Sequence, residues 1–268
     1  MPELAEVEYY RRRWAVAEGS RVEQVFLHAG KRVFRGVDTA ALVAGLFGEP
    51  MEEARAHGKQ MYYRFGKRHW LGVHLGMTGK LFCVGSETAA ERHDHLRLVL
   101  DCGRVLVFRD SRMFGRILYA VGEEHPEWLQ GLPPEVLSDG FTFERMDAFF
   151  DRRGRAPIKG VLLMQEVFPG VGNWMADEIL WRARVAPMVP AGQIGRGKRR
   201  EIFVRLEEVC RDALRVIAPD WSKPPDDWLF NHRWRDGGRC PQTGRSLRRE
   251  PVGGRTTCWS PAWQRYRG

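Results

Sequence analysis

The chain opens Met1-Pro2-Glu3-Leu4-Ala5-Glu6-Val7-Glu8, and this start holds the residue pair best suited to chemistry. A small residue after the initiator allows Met1 to be trimmed, which leaves Pro2 with a free secondary amine. α-Amino groups titrate far below lysine, so a useful fraction is unprotonated at neutral pH and can attack an electrophilic carbon. Glu3 places a carboxylate beside that nucleophile, ready for general acid/base proton transfer. Proline at position 2 also occurs merely because it permits processing, so the remaining chain must decide what the pair is for.

Charge points to a partner. Lys and Arg outnumber Asp and Glu by 43 to 34, and the excess is concentrated at the C-terminal end. Asn231 to Gly268 holds nine Arg, no Lys, one Asp and one Glu, with Trp234, Trp259, Trp263 and Tyr266 interleaved. A basic stretch threaded with aromatics suits a polyanion, and phosphates above all. At 268 residues, 43% of them hydrophobic, the chain can bury the cores of two domains. No apolar run approaches the ~18–20 residues of a membrane span, and acids stand where a secretory signal would be basic and then apolar, so cytoplasmic residence is expected. The cysteines, Cys83, Cys102, Cys210, Cys240 and Cys258, are odd in number and never spaced C-x-x-C. They form neither an obvious disulfide framework nor, alone, a zinc site. His93 and His95 would share a strand face around Asp94, but no third ligand accompanies them.

The pattern along the chain changes twice. Leu4, Val7, Tyr10, Trp14 and Ala17 mark an amphipathic helix from Glu3 to about Glu18, ending at Gly19. From Val22 to about Ala120 short alternating runs such as Gln60–Phe65, Leu96–Leu100 and Val105–Phe108 predict a β-sandwich. Gly122 to Pro134 separates this from a helical region, with helices expected over Phe143–Arg152, Pro157–Phe168, Asn173–Arg184 and Arg200–Ile217. A Pro- and Asp-rich connection, Ala218 to Asp227, leads to two short strands around Gly253-Gly254. The fold class is therefore α+β, divided into a β-sandwich domain with its N-terminal helix (1–121), a linker (122–134), a helical domain (135–220) and a terminal β-hairpin unit (221–268).

Six strings in order resemble the Fpg/Nei family of DNA glycosylases with AP lyase activity. The N-terminus resembles P-E-L-P-E-V-E, with Ala5 in place of the second proline. His74-Leu75-Gly76-Met77-Thr78-Gly79 resembles H-L-G-M-S/T-G, and Arg92-His93-Asp94-His95 resembles K-H-D-H. Asp110-Ser111-Arg112-Met113-Phe114-Gly115 is similar to D-P-R-R-F-G, and Gly170-Val171-Gly172-Asn173 followed by Ala176-Asp177-Glu178 to V-G-N-x-Y-A-x-E of the helix-two-turn-helix module. Gly254-Arg255-Thr256-Thr257-Cys258-Trp259-Ser260-Pro261-Ala262-Trp263-Gln264 fits the family's zinc-finger ending. Cys240 fits the first zinc ligand, but Thr243, Ser260 and Trp263 hold the other three ligand positions. One thiolate cannot hold zinc, so a zincless finger without metal or cofactor is expected. Packing of Trp259, Trp263, Val252 and Leu247, worth about 1.5–3 kcal/mol for each fully buried large side chain, would hold it instead.

The resemblance implies roles. The partner is damaged double-stranded DNA, bound by a monomer, and the target nucleotide is flipped out of the stack. Pro2 attacks C1′ of its sugar, with Glu3 as proton shuttle. Lys59 in His57-Gly58-Lys59-Gln60 matches a catalytic-site lysine that contacts phosphate. Met77, Arg112 and Phe114 match the trio that fills the vacated helix, although Met77 and Phe114 in isolation also read as core residues. His93, Lys159, the Gly172-Asn173 turn and Arg255 would grip the backbone phosphates. The trio favours oxidised purines such as 8-oxoguanine and formamidopyrimidines. The short connection from Ala218 to Arg239 favours oxidised pyrimidines or alkylated bases, and a non-catalytic binder of damaged DNA is a further alternative.

Overall fold

Short apolar runs, alternating in β3 (Gln60–Phe65) and nearly continuous in β4 (His69–His74) and β7 (Arg104–Arg109), belong to eight strands between Val22 and Val121, and their buried faces meet as a sandwich. One sheet has the order β1 (Val22–Leu27), β6 (Asp94–Leu100), β7 (Arg104–Arg109), β5 (Lys80–Gly85), and the other β2 (Met51–His57), β3 (Gln60–Phe65), β4 (His69–His74), β8 (Arg116–Val121). All neighbours are antiparallel. Helix α1 (Leu4–Ala15) adds Val7, Tyr10 and Trp14 to this core, and the Trp14 indole N–H donates to the Phe82 carbonyl at 3.0 Å. The helix stops short of the expected Glu18 because a turn through Ala17 delivers the chain to Gly19, at φ +88°. Helix α2 (Thr39–Leu46) is capped by Asp38, whose carboxylate accepts from two first-turn N–H groups.

The computed structural model describes residues 1–266 and 268, which divide into two compact units. The first holds Met1–Pro2 and Glu6–Leu132; the second holds Pro133–Gly268 together with Glu3–Ala5. The second unit is built on α3 (Phe143–Arg152), α4 (Ile158–Leu162), α5 (Asn173–Arg182) and α6 (Arg196–Val216). Their apolar faces form one core around Phe150, Phe168, Ile179 and Leu206. The helix expected over Pro157–Phe168 is shorter, because residues 163–172 turn the chain between α4 and α5 and Gly170 adopts φ +89°. Helix α6 begins at Arg196, four residues earlier than expected.

Strands β9 (Arg248–Val252) and β10 (Arg255–Trp259) form the terminal hairpin, with Arg255 opposite Val252. Its tip residues Gly253 and Gly254 both have positive φ, the two-glycine turn that matches strand twist. A Cβ on Gly253 would lie 2.7 Å from Gly160 Cα, so the tip docks on α4 only because a side chain is missing there. No helix among the described residues is long and apolar enough to cross a membrane.

Candidate active site and nucleic-acid interface

Sheet register gathers five of the candidate residues at one end of the β-sandwich. Gln60 pairs with His74, and His74 with Arg116. The β2–β3 turn carrying Lys59, the chain leaving β4 and the chain entering β8 therefore share one edge. Gly58, at φ +58°, makes that two-residue turn. In the other sheet Lys80 and Asp94 both pair with Arg109, so the starts of β5 and β6 and the end of β7 also coincide. Two crossovers join the sheets here: Leu75–Gly79, carrying Met77, and Asp110–Gly115, carrying Arg112 and Phe114. His93 immediately precedes β6.

These side chains project. Met77 is 48% and Phe114 41% exposed, unlike the core residues that their apolar character alone would suggest. The exposed Arg112 guanidinium lies 4.8 Å from the Phe114 ring centroid. Behind them the support is dense. His74 Nδ1 accepts from the Gly76 N–H at 3.1 Å, and burial, then Lys59 and Arg35, pushes its pKa down. His95 Nε2 donates to the Asp110 carbonyl at 2.9 Å, and its Nδ1 lies 3.3 Å from His28 Nδ1. A cleft of about 460 Å³ beside this crossover is lined by His28, Lys31, Arg92, His93, His95 and Met113, a strongly basic wall. Asp94 ion-pairs with Arg97 and Arg109, so this carboxylate is spent on structure.

In the second unit the N-terminal start of α5 holds Glu3. The carboxylate is buried and accepts from the Trp174 N–H at 2.9 Å and the Met175 N–H at 3.1 Å, while the Leu4 N–H donates to the Gly170 carbonyl. An anion belongs at a helix N-terminus, where unpaired N–H groups and the helix dipole both favour it. Gly172 makes room: a Cβ there would sit 2.2 Å from Glu3 Cδ. Two N–H groups of the first turn, those of Trp174 and Met175, are thus directed at a carboxylate of the chain itself.

Lys159 also departs from expectation. Its ammonium is buried, donates to the Asn173 carbonyl at 2.6 Å and pairs with Asp177. It secures the turn from inside, and burial outweighs Asp177 in pushing its pKa down. The second oxygen of Asp177 accepts from Arg233 at 2.6 Å and from the Cys258 N–H at 3.0 Å. One buried carboxylate therefore ties α4, α5, the connection before the hairpin and β10 together. The Asn173 amide donates to the Thr256 carbonyl at 2.9 Å, next to the exposed Arg255.

The finger's donor set does not fit zinc. Cys240 is the one thiol at a ligand position, and the Trp181 indole N–H points at its sulfur, 3.5 Å away. Trp263, at another ligand position, donates its indole N–H to the Trp181 carbonyl at 3.0 Å. Leu247 and Trp263 pack with Trp181, Leu229, Cys240 and Cys258, whereas Trp259 joins the large helical core. The hairpin is thus held by α5 as much as by its own side chains. Burial pushes the Cys258 thiol up to about 12. Among the described residues no group of three or more His, Cys, Asp or Glu could hold a metal ion.

Asp110 and Asp177 were legible only as members of motifs. Asp177 follows the apolar Trp174-Met175-Ala176, and a carboxylate buried with such a run must find donors; Asp110, between Arg109 and Ser111, carries no such signal.

A β-sandwich with N-terminal proline and glutamate, followed by a helix-two-turn-helix module and a basic hairpin, defines a class of DNA-processing proteins. Residues 1–117 match the formamidopyrimidine-DNA glycosylase N-terminal domain, and residues 132–220 its H2TH domain. The chain is 35% identical to a formamidopyrimidine-DNA glycosylase of Stenotrophomonas maltophilia strain K279a, covering 99% of this chain and 100% of the relative. The crystal structure of the MutM (Fpg) protein from Thermus thermophilus superimposes with a TM-score of 0.81 at 32% identity over 99% of both chains. Lactococcus lactis Fpg in complex with N7-benzyl-Fapy-dG DNA has the same fold, with a TM-score of 0.85 at 24% identity over 98% of this chain and 99% of that one. The chain belongs to the formamidopyrimidine-DNA glycosylase family, base-excision-repair glycosylases with AP lyase activity.

Proposed function

We propose that this protein removes an oxidised base from duplex DNA, with oxidised purines such as 8-oxoguanine and formamidopyrimidines as its substrates, and nicks the strand through a Pro2 Schiff base. One observation carries the reading. The carboxylate next in the chain to Pro2 is clamped by two backbone N–H groups at the start of α5, so a proton-transfer group is held beside the nucleophile. The freed Pro2 nitrogen attacks C1′, the C1′–N bond breaks and the base leaves with a proton. The C1′–O4′ bond then opens, O4′ takes a proton, and the resulting iminium makes the C2′ proton acidic. Its loss expels the 3′ phosphate, and a second elimination expels the 5′ phosphate, with Glu3 passing the protons. Met77, Arg112 and Phe114 fill the space left by the flipped nucleotide, Arg112 facing the orphaned base. Lys59, His93 and Arg255 contact phosphates, and the enzyme acts as a cytoplasmic monomer.

A second substrate class is favoured by one feature. The connection Ala218–Arg239 is pinned to α5 through the Phe230 N–H on Glu178 at 3.1 Å and Arg233 on Asp177, leaving little free chain to close over a large purine. Oxidised pyrimidines or alkylated bases fit that arrangement. A panel of duplexes, each bearing one lesion, ranks the classes by initial excision rate.

The chemistry is tested by borohydride reduction with an abasic duplex, followed by peptide mapping of the adduct. A covalent link at the Pro2 nitrogen is expected. An adduct on a lysine side chain, no adduct, or Met1 still attached in active protein overturns the proposal.

A further inference from the structure

Asp110 has no part in the chemistry above, yet it is fully buried where both crossovers meet. Its Oδ1 accepts from the Thr78 hydroxyl at 2.6 Å and the Arg112 N–H at 3.2 Å, and its Oδ2 accepts from the Gly115 N–H at 2.7 Å. Its own N–H donates to the His93 carbonyl, and its carbonyl accepts from His95. One residue therefore holds the Met77 loop, the Arg112–Phe114 loop and the entry to β6.

We infer that Asp110 is the positioning residue of the wedge, locking Met77 to Arg112 and Phe114 so that the three enter the DNA as one rigid unit. This rests on the reading of the trio as void-filling. Hydrogen bonds to a buried carboxylate are stronger than neutral ones, and losing one leaves a donor stranded in the interior. The backbone geometry needs such a clamp. A Cβ on Gly76 would lie 2.4 Å from the Phe114 carbonyl carbon, so the loops run in direct backbone contact. Met113 lies at φ +54°, a conformation a side-chain-bearing residue keeps only when its surroundings enforce it. The Asp110 bonds to Arg112 and Gly115 bracket that residue on both sides.

Exposed loops lose entropy when they order on a ligand, and loops already locked do not. A wedge held in place beforehand should therefore favour DNA distortion, while leaving the sugar chemistry alone.

The test compares wild type with Asp110→Asn, Thr78→Val and Thr78→Ser. Asp110→Asn sets an amide N–H₂ against the Gly115 N–H or the Arg112 N–H; Thr78→Val removes one donor at constant shape; Thr78→Ser restores it. The first readout is fluorescence of 2-aminopurine opposite a tetrahydrofuran abasic analogue in a duplex, which needs no Pro2 chemistry. The second is borohydride trapping on a single-stranded abasic oligonucleotide, where there is no void to fill. Asp110→Asn and Thr78→Val are expected to lower the rate of the fluorescence rise by about tenfold, with Thr78→Ser near wild type and trapping within about twofold throughout. Unchanged fluorescence, or equal losses in both assays, overturns the role of Asp110. Met77→Ala and Phe114→Ala are run alongside. If they leave the fluorescence unchanged, the wedge reading fails, and the claim for Asp110 falls with it. If wild type traps no adduct, the Pro2 reading fails, while the fluorescence still decides the claim for Asp110.

Discussion

Glu3 and Gly172 are fitted to each other: the carboxylate fills the space a Cβ on Gly172 would need, 2.2 Å from Glu3 Cδ. Gly172 is the N-cap of α5, so the helix start and the seat of the Glu3 carboxylate depend on one absent methyl group. Gly172→Ala should displace the carboxylate and slow excision by about 10²–10⁴-fold, the range for losing a general acid/base. Glu3→Gln should fall in the same range. Single-turnover kinetics checks both, and a Gly172→Ala enzyme with wild-type rates would contradict the fit.

Asp177 replaces part of what a metal would do for a hairpin. It is buried, and Lys159, Arg233 and the Cys258 N–H converge on it from three other segments. Asp177→Ala would strand two cations inside the second unit. The expected loss is about 3–5 kcal/mol of stability, read by urea denaturation. A loss below about 1 kcal/mol, typical of an exposed pair, would show that the cluster is not a tie.

Zinc should be dispensable. Cys240 packs against Trp181 and Leu247 and its sulfur receives the Trp181 indole N–H, so Cys240→Ala should cost about 1–3 kcal/mol and leave the hairpin folded. A strong zinc chelator should leave the melting temperature unchanged. One equivalent of tightly bound zinc in purified protein would contradict this.

Acid should weaken the β-sandwich end that carries Met77, Arg112 and Phe114. Burial pushes His95 below the ordinary imidazole range, with His28 and His93 adding to it and the Asp110 carbonyl and carboxylate opposing. Burial, with Lys59 and Arg35, does the same to His74. The unfolded chain takes up protons at these histidines near pH ~6.5, and the folded chain only at lower pH. In that window the unfolded state binds more protons, so stability rises with pH. Stability should be full above pH ~6.5 and decline below it, and His95→Gln should flatten part of that decline. Urea denaturation at a series of pH values measures the slope, and a reversed slope would contradict the assignment.

The N-terminal helix, the strands, the C-terminal helices and the terminal hairpin were legible in the sequence, because the apolar patterns that set them are local. Lys159 shows where that legibility ended. A lysine beside a helix-turn motif reads as a phosphate ligand, but the carboxylate that captures it comes from Asp177 on the following helix. Glu3 likewise reads as part of the first helix, whereas it belongs with the second unit, held by backbone groups at residues 174 and 175.

By itself, the sequence determined the proline after the initiator, the glutamate beside it, the basic hairpin and the loss of zinc ligands, since these depend only on which atoms the chain contains. Only the tertiary structure decided that Asp110 binds two crossovers together, that Asp177 ties the hairpin to the helices, and that Met77 and Phe114 project rather than pack. The reason is physical. A buried charge must be neutralised by whichever donors the fold brings within hydrogen-bond reach, and chains distant in sequence supply them.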